Sequence, residues 1–178
     1  MIRGPPTGRL APVNRVRRLA GLVARTALGL APGFARPDDG FAASRLDGGE
    51  LAAYRALDPR DRDHACRVAG RLLAMHPGAE PACLRAALLH DVGKAVRPYR
   101  VWERVLVHLW TPAPALAERF PPGLRALWRV HREHAAAGAE RLRALGADPR
   151  VVDLVARHHE PPGDDEALAW LAAADAGP

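Results

Sequence analysis

From Asp47 onward this chain is partitioned by prolines and acidic residues placed as helix starts, and no segment alternates apolar and polar residues for long. Proline fixes φ near the helical value and lacks an N–H that the first helical turn leaves unused, so an acid–Pro pair is a start signal. Asp58-Pro59, Glu80-Pro81 and Asp148-Pro149 are such pairs. The first opens a predicted helix to about Met75, the second one through Leu84, Ala87, Leu88 and His90 to Gly93, the third one ending near His159. Pro98 opens another to about Leu109, and Pro112 and Pro114 mark a break. Pro122-Gly123 precedes a long helix over about 124–145, closed by Gly146. Asp47 with Glu50 three later, and Asp164-Asp165, start the remaining two, the last reaching Asp175. The fold class is all-α, with about seven to nine helices counted along the whole chain.

Ahead of Asp47 the pattern is looser. Residues 1–12 hold Gly4, Pro5, Pro6 and Gly8 and read as a tail. Val13, Val16, Leu19, Ala20, Val23, Ala27 and Leu30 recur at helical spacing up to Pro32. Arg15, Arg17 and Arg18 ahead of that apolar run suggest a secretion signal, but Arg25 interrupts it and no small-residue cleavage site follows, so an amphipathic helix is expected. Residues 32–46, rich in Pro, Gly and Asp, read as a linker. The expected organisation is therefore an N-terminal tail, helix and linker over 1–46 and one domain over 47–178. The N-terminal segment could pack on that domain, mediate a homodimer or touch a membrane surface.

Charge needs a discriminating reading. The net charge is +6, which invites nucleic acid as a partner. The chain holds 25 Arg, one Lys and 36 Ala, however, and the Arg are scattered among Asp and Glu. That is a compositional bias spread over a solvated surface, so nucleic acid is disfavoured, while a small anionic substrate is still attracted by the field. No run of 18 residues is free of charge, so no transmembrane segment is expected. Cys66 and Cys83 have no metal or redox spacing and read as small, buried or half-buried residues of a reducing compartment, placing the chain in the cytoplasm.

The informative residues are polar ones on faces that should be core. His64 shares a stripe with Val68, Leu72 and Met75; Asp91, beside His90, ends the apolar run Ala86-Ala87-Leu88-Leu89. His134 lines up with Gly138 and Leu142, His158 follows Val151, Leu154 and Val155, and Asp175 follows Leu168 and Leu171. Any one such histidine is ordinarily a core ring with a hydrogen bond. Buried carboxylates are harder to accommodate, because an unpaired one is costly. A bound divalent ion accounts for all six groups together. Imidazole and carboxylate without thiolate point to Mn, Fe, Mg, Co or Zn, as one or two ions.

Leu-Leu-His90-Asp91-Val92-Gly93-Lys94 resembles the HD-x-G-K signature of HD-domain metal-dependent phosphohydrolases. His134-Ala-Ala-Ala-Gly138-Ala-Glu140-Arg-Leu142 and His158-His159-Glu160 are similar to the HPEIGAEIL-like and HHE segments of the HDIG and HD-GYP branches. The resemblance covers about residues 58 to 176 and implies the HD-domain helical bundle. It implies that His64, His90, Asp91 and Asp175 hold a first metal, and that Asp91 bridges to a second held by His134 and His158, with His159 close by. It further implies that Lys94, the only lysine, faces a substrate phosphate, a task suited to a compact ammonium. The activity implied is hydrolysis of a phosphate ester or anhydride of a nucleotide-like substrate by a metal-activated hydroxide. Asp91, Lys94 and His159 are the candidate catalytic residues, with His159 or another nearby imidazole as proton donor. A module that binds a nucleotide or metal in a regulatory role without turnover is the alternative.

The departures narrow this. The Gly-Tyr-Pro element expected after HHE is replaced by Pro161-Pro162-Gly163-Asp164-Asp165, which argues against a typical cyclic di-GMP phosphodiesterase of the HD-GYP type. Trinuclear members of that branch carry Glu four residues before the first His, where this chain has Arg60, so two metals at most are expected. Asp61 and Arg67, three residues either side of His64, could orient a ligand or meet phosphate. His76 reads as a helix-terminus partner, His108 as an ordinary helical residue, His131 as packing or support for His134, and the four Trp as core or pocket wall.

Overall fold

The computed structural model describes residues 35–177, and the predicted amphipathic helix at Val13–Leu30 lies outside them. Nine α-helices follow among the described residues: α1 (Asp39–Ala43), α2 (Gly48–Arg55), α3 (Pro59–Met75), α4 (Pro81–Leu89), α5 (Val101–Leu109), α6 (Pro114–Ala117), α7 (Pro122–Ala144), α8 (Pro149–Arg157) and α9 (Glu166–Asp175). A 3-10 turn, η1 (Val92–Val96), joins α4 to the α5 region. No strand occurs among the described residues, as expected of an all-α fold.

Four of the acidic start signals act as caps, while Glu80 precedes α4 without a side-chain cap bond. Asp47, Asp58, Asp148 and Asp165 each accept a backbone N–H of the first turn they cap, supplying partners that the helix itself cannot. Gly146 closes α7 with φ of 74°, the left-handed conformation that glycine adopts without penalty.

Helix α4 organises the core. Cys83, Leu84, Ala86, Ala87, Leu88 and Leu89 are all buried, so it is apolar on nearly every side and must be surrounded. It packs on α2, α3, α8 and α9, and Leu72, Leu142, Leu154, Leu168 and Leu171 close around it. A smaller cluster of Tyr99, Val107, Ala117, Leu127 and Trp128 forms where α5 and α6 lie on α7. Cys66 and Cys83 are free thiols, half-buried and buried. No helix among the described residues is long and apolar enough to cross a membrane.

Three local differences have physical reasons. Residues 39–46, expected as linker, hold α1, capped by Asp38, and its Ala42 joins Leu46 in the main core. The helix from Pro81 stops at Leu89 and tightens into η1, because η1 lies directly on α7: a Cβ at Gly93 would stand 2.0 Å from the His134 carbonyl oxygen. The α5 helix starts at Val101 instead of Pro98, since the Glu103 side chain accepts the Arg100 N–H at 2.7 Å and sets the first turn there. Trp128 is core as predicted and Trp170 is half-buried, while Trp102 and Trp110 are 49% and 46% exposed, Trp110 with its ring edge-on to Trp128 and Phe120.

Candidate metal centre

All the predicted ligands converge, and they do so mostly at helix ends. His90 and His158 are the first residues beyond α4 and α8, and Asp175 is the last of α9. His64 and His134 project from the middles of α3 and α7, which cross the site. Three helix C-termini therefore meet at one place, and the negative ends of their dipoles favour a cation there. A carboxylate at the C-terminus of α9 is electrostatically unfavourable for the helix alone, so Asp175 needs positive partners.

Two clusters of donors form. His64, His90 and Asp175 offer ligand atoms within 4.8 Å of one another, and so do His134, His158 and His159. In the first, His64 Nε2 lies 3.0 Å and His90 Nε2 3.7 Å from Asp175 Oδ1. In the second, His159 Nε2 lies 3.0 Å from His134 Nε2. Asp91 stands between them: Oδ2 is 3.5 Å from His90 Nε2 and Oδ1 is 3.4 Å from His134 Nε2. One carboxylate thus offers an oxygen to each cluster.

The imidazoles are prepared for a cation. His90, His134 and His158 each place Nδ1 2.9, 2.9 and 2.7 Å from the carbonyl three residues earlier, of Ala87, His131 and Val155. A carbonyl only accepts, so Nδ1 carries the proton and the Nε2 lone pair faces the centre. His158 Nε2 is buried with no hydrogen-bond partner, an arrangement that costs stability unless something electrophilic meets it. Burial lowers the pKa of His90, and burial with the nearby rings of His90 and His159 lowers that of His158 to about 3. Burial also lowers His159. Burial presses Asp91 and Asp175 upward, but it is outweighed. Lys94 holds Asp91 well below the usual carboxylate range, and the hydrogen bond with His64 holds Asp175 below it. Neutral imidazoles and ionised carboxylates are the forms that ligate. The donor set, the orphaned nitrogen and the converging helix ends all fit one or two divalent ions.

Lys94 Nζ reaches back one turn to Asp91 Oδ2 at 2.7 Å, at the edge of the same centre. Residues outside the ligand set separate from it. Asp61 is buried and takes both amino groups of Arg104 instead of orienting His64. Arg67 pairs with Asp63 at 3.3 Å. His76 stacks on Trp170 with ring centroids 4.5 Å apart, and the His131 ring meets Trp128 edge-on while its carbonyl accepts from His134. Glu160 is exposed beside Arg157. One contributor was missed in the sequence: Arg71, whose Nε donates to the Ala174 carbonyl at 2.6 Å and so holds the end of α9 that bears Asp175. Its position seven residues after His64, on the same face of α3, is the signal that could have found it.

The family model for the HD domain matches residues 62–176. The chain belongs to the HD-domain family. That span takes in every ligand just described, from His64 to Asp175, together with Lys94. HD domains are all-α, bind divalent metals and form a superfamily of metal-dependent phosphohydrolases, as the fold and donor set of this HD domain lead one to expect. Neither curated proteins nor solved structures give a significant match to the chain.

Proposed function

We propose that this HD protein is a metal-dependent phosphohydrolase or phosphodiesterase acting on a phosphate ester or anhydride of a nucleotide-like substrate. The observation that carries the reading is the Asp91 carboxylate set 3.5 and 3.4 Å from one histidine of each cluster. We assign His64, His90, Asp91 and Asp175 to a first divalent ion and Asp91, His134, His158 and His159 to a second. The imidazoles, two in the first set and three in the second, favour Mn, Fe, Co or Zn over Mg. Ions bound there supply Lewis acidity and a water acidic enough to attack phosphorus near neutral pH.

The chain's own residues do the rest. Asp91 fixes the separation of the two halves and brings negative charge between them. Lys94, ion-paired with Asp91 and carried on a flexible stem, would bring its ammonium to the equatorial phosphoryl oxygens, where negative charge grows in the transition state. His159 has two candidate roles that exclude each other at one atom, since a ring nitrogen that ligates has no proton to deliver. Its Nε2 approaches His134 Nε2 at 3.0 Å, which supports the ligand role and leaves protonation of the leaving oxygen to another donor. Within the family, the segment from His134 to Leu142 and the His158-His159-Glu160 triplet support a place near the HDIG branch.

The test is metal content of protein purified with and without oxygen, followed by phosphate release across mononucleotides, cyclic dinucleotides and dinucleoside polyphosphates. One or two ions per chain and turnover of at least one class are expected. A chain that binds no divalent ion removes the proposal, and one that binds ions yet hydrolyses nothing converts it to the regulatory alternative.

A further inference from the structure

Eight of the 19 arginines among the described residues are paired with carboxylates. Arg85 meets Glu50 at 2.8 Å, Arg104 meets Asp61 at 2.9 Å, Arg150 meets Asp165 at 2.7 Å and Arg157 meets Asp153 at 3.0 Å. Arg62 and Arg97 are likewise paired, with Asp39 and Glu103. The outer stripe of α3 is set apart by its place beside the metal centre. Arg60, His64, Arg67 and Arg71 stand at i−4, i, i+3 and i+7. At roughly 100° per residue the three arginines fall about 20–60° to one side of His64. Val68, about 40° to the other side, is fully buried, so the arginine side is the solvent side. Arg60 makes no ion pair among the described residues. Arg67 has only Asp63, one turn away at 3.3 Å, and its side chain is 56% exposed. Arg71 is committed to the Ala174 carbonyl. The stripe is about 16 Å long, and His64 and Asp175, the open part of the metal centre, lie at its middle.

We infer that this stripe is a second anion subsite, selecting substrates with at least one phosphate beyond the one that reacts at the metals. The inference rests on the phosphohydrolase reading for the location of the reacting phosphate. A guanidinium presents two parallel donors to phosphate oxygens, and at Arg60 no ion pair has to break first. Arg71 contributes its charge while anchoring α9, so Arg60 and Arg67 are the residues that make contact. The further phosphate can belong to an anhydride chain or to a neighbouring phosphodiester, and the same guanidinium chemistry serves both.

Equilibrium binding to the Mn-loaded full chain tests this with three probes: AMP, methylene-bridged ATP and phosphorothioate-linked pApA. At least one of the two longer ligands should bind tenfold or more tighter than AMP, and which one identifies the source of the further phosphate. The Arg60→Ala/Arg67→Ala variant should bring that ratio close to one while leaving AMP binding within twofold. The Arg141→Ala/Arg143→Ala variant removes the same charge from the last turn of α7 and should keep the preference. Absence of any preference over AMP overturns the subsite, as does a preference that survives the α3 variant or falls equally in the α7 variant. Phosphate release is scored separately, so a chain that prefers the longer ligands without turnover sinks the hydrolase reading and leaves the subsite. A chain that turns over without preference does the reverse.

Discussion

His90, His134 and His158 are 1%, 2% and 5% exposed, and each is locked by its own helix through an Nδ1–H to the carbonyl three residues back. His64 and Asp175, with side chains 32% and 30% exposed, are held chiefly by one another, and exposed His159 leans on His134. The metal centre thus has a floor fixed by backbone and a rim fixed by side chains. A locked floor fixes lone-pair direction before any ion arrives, at the cost of buried, unsatisfied nitrogen. Under the proposed function, an adjustable rim would let ligand distances change as a phosphate enters and leaves. Asp91, 2% exposed, belongs to the floor but serves both clusters.

Removing the shared group should have the largest effect. Asp91→Asn should lower metal content and phosphate release together, activity by roughly a thousandfold or more, because a carboxamide supplies no charge between two cations. Circular dichroism should still report the helices. A variant that keeps its ions and full turnover would break the floor-and-rim division at its centre.

The floor also depends on backbone contact between η1 and α7. A methyl at Gly93 would fall 2.0 Å from the His134 carbonyl oxygen and 2.8 Å from the Gly138 nitrogen, both backbone atoms that cannot rotate away. Gly93→Ala should cost about 3 kcal/mol, lowering the melting temperature by about 10 °C. A melt matching wild type would mean that the floor yields easily, and the contrast with the rim would weaken.

Comparing single ligands sharpens the point. His158→Ala should lower metal affinity by about a hundredfold and His64→Ala by about tenfold, measured by competition with a chromophoric chelator. The locked ring has no substitute nearby, whereas solvent can enter the rim position. Equal losses at the two sites would show that locking contributes nothing to affinity.

Much of this was legible in the sequence, for identifiable reasons. Acid–Pro starts and helical spacing marked α3 and α8, and the Asp164-Asp165 pair marked α9, because capping is local chemistry. The ligands were visible because a polar group on an apolar stripe has few explanations, and a family resemblance then ordered them into two sites. The end of α4 was not legible. Leu88-Leu89-His90-Asp91 continues a helical pattern, and what stops it is the approach of η1 to α7, a contact between segments some 40 residues apart. The exposure of Trp102 and Trp110 escaped for the same reason, since only tertiary packing decides which aromatic residues α5 and α6 cover. Asp61 shows the converse: its spacing from His64 suggested ligand support, while its partner Arg104 lies on α5.

The smallest expected effect is on pH dependence, and it bears on the floor alone. In the unfolded chain a histidine takes a proton near pH 6.5. Folded His158 resists until about pH 3, because burial disfavours the imidazolium, and His90 is shifted in the same direction. The unfolded state therefore binds more protons than the folded state below about pH 6.5, and metal-free protein should lose stability as pH falls through that value. The slope should approach about 1.4 kcal/mol per pH unit for each such ring. Asp91 and Asp175 are shifted downward, so their contribution is present above about pH 3.9 and is lost only below it, leaving the window from pH 6.5 to 4.5 to the imidazoles. Urea unfolding across that window should show a shallower slope in His158→Gln than in wild type. Identical slopes would mean that His158 is no more desolvated than a rim residue, and the floor would then consist of Asp91, His90 and His134 alone.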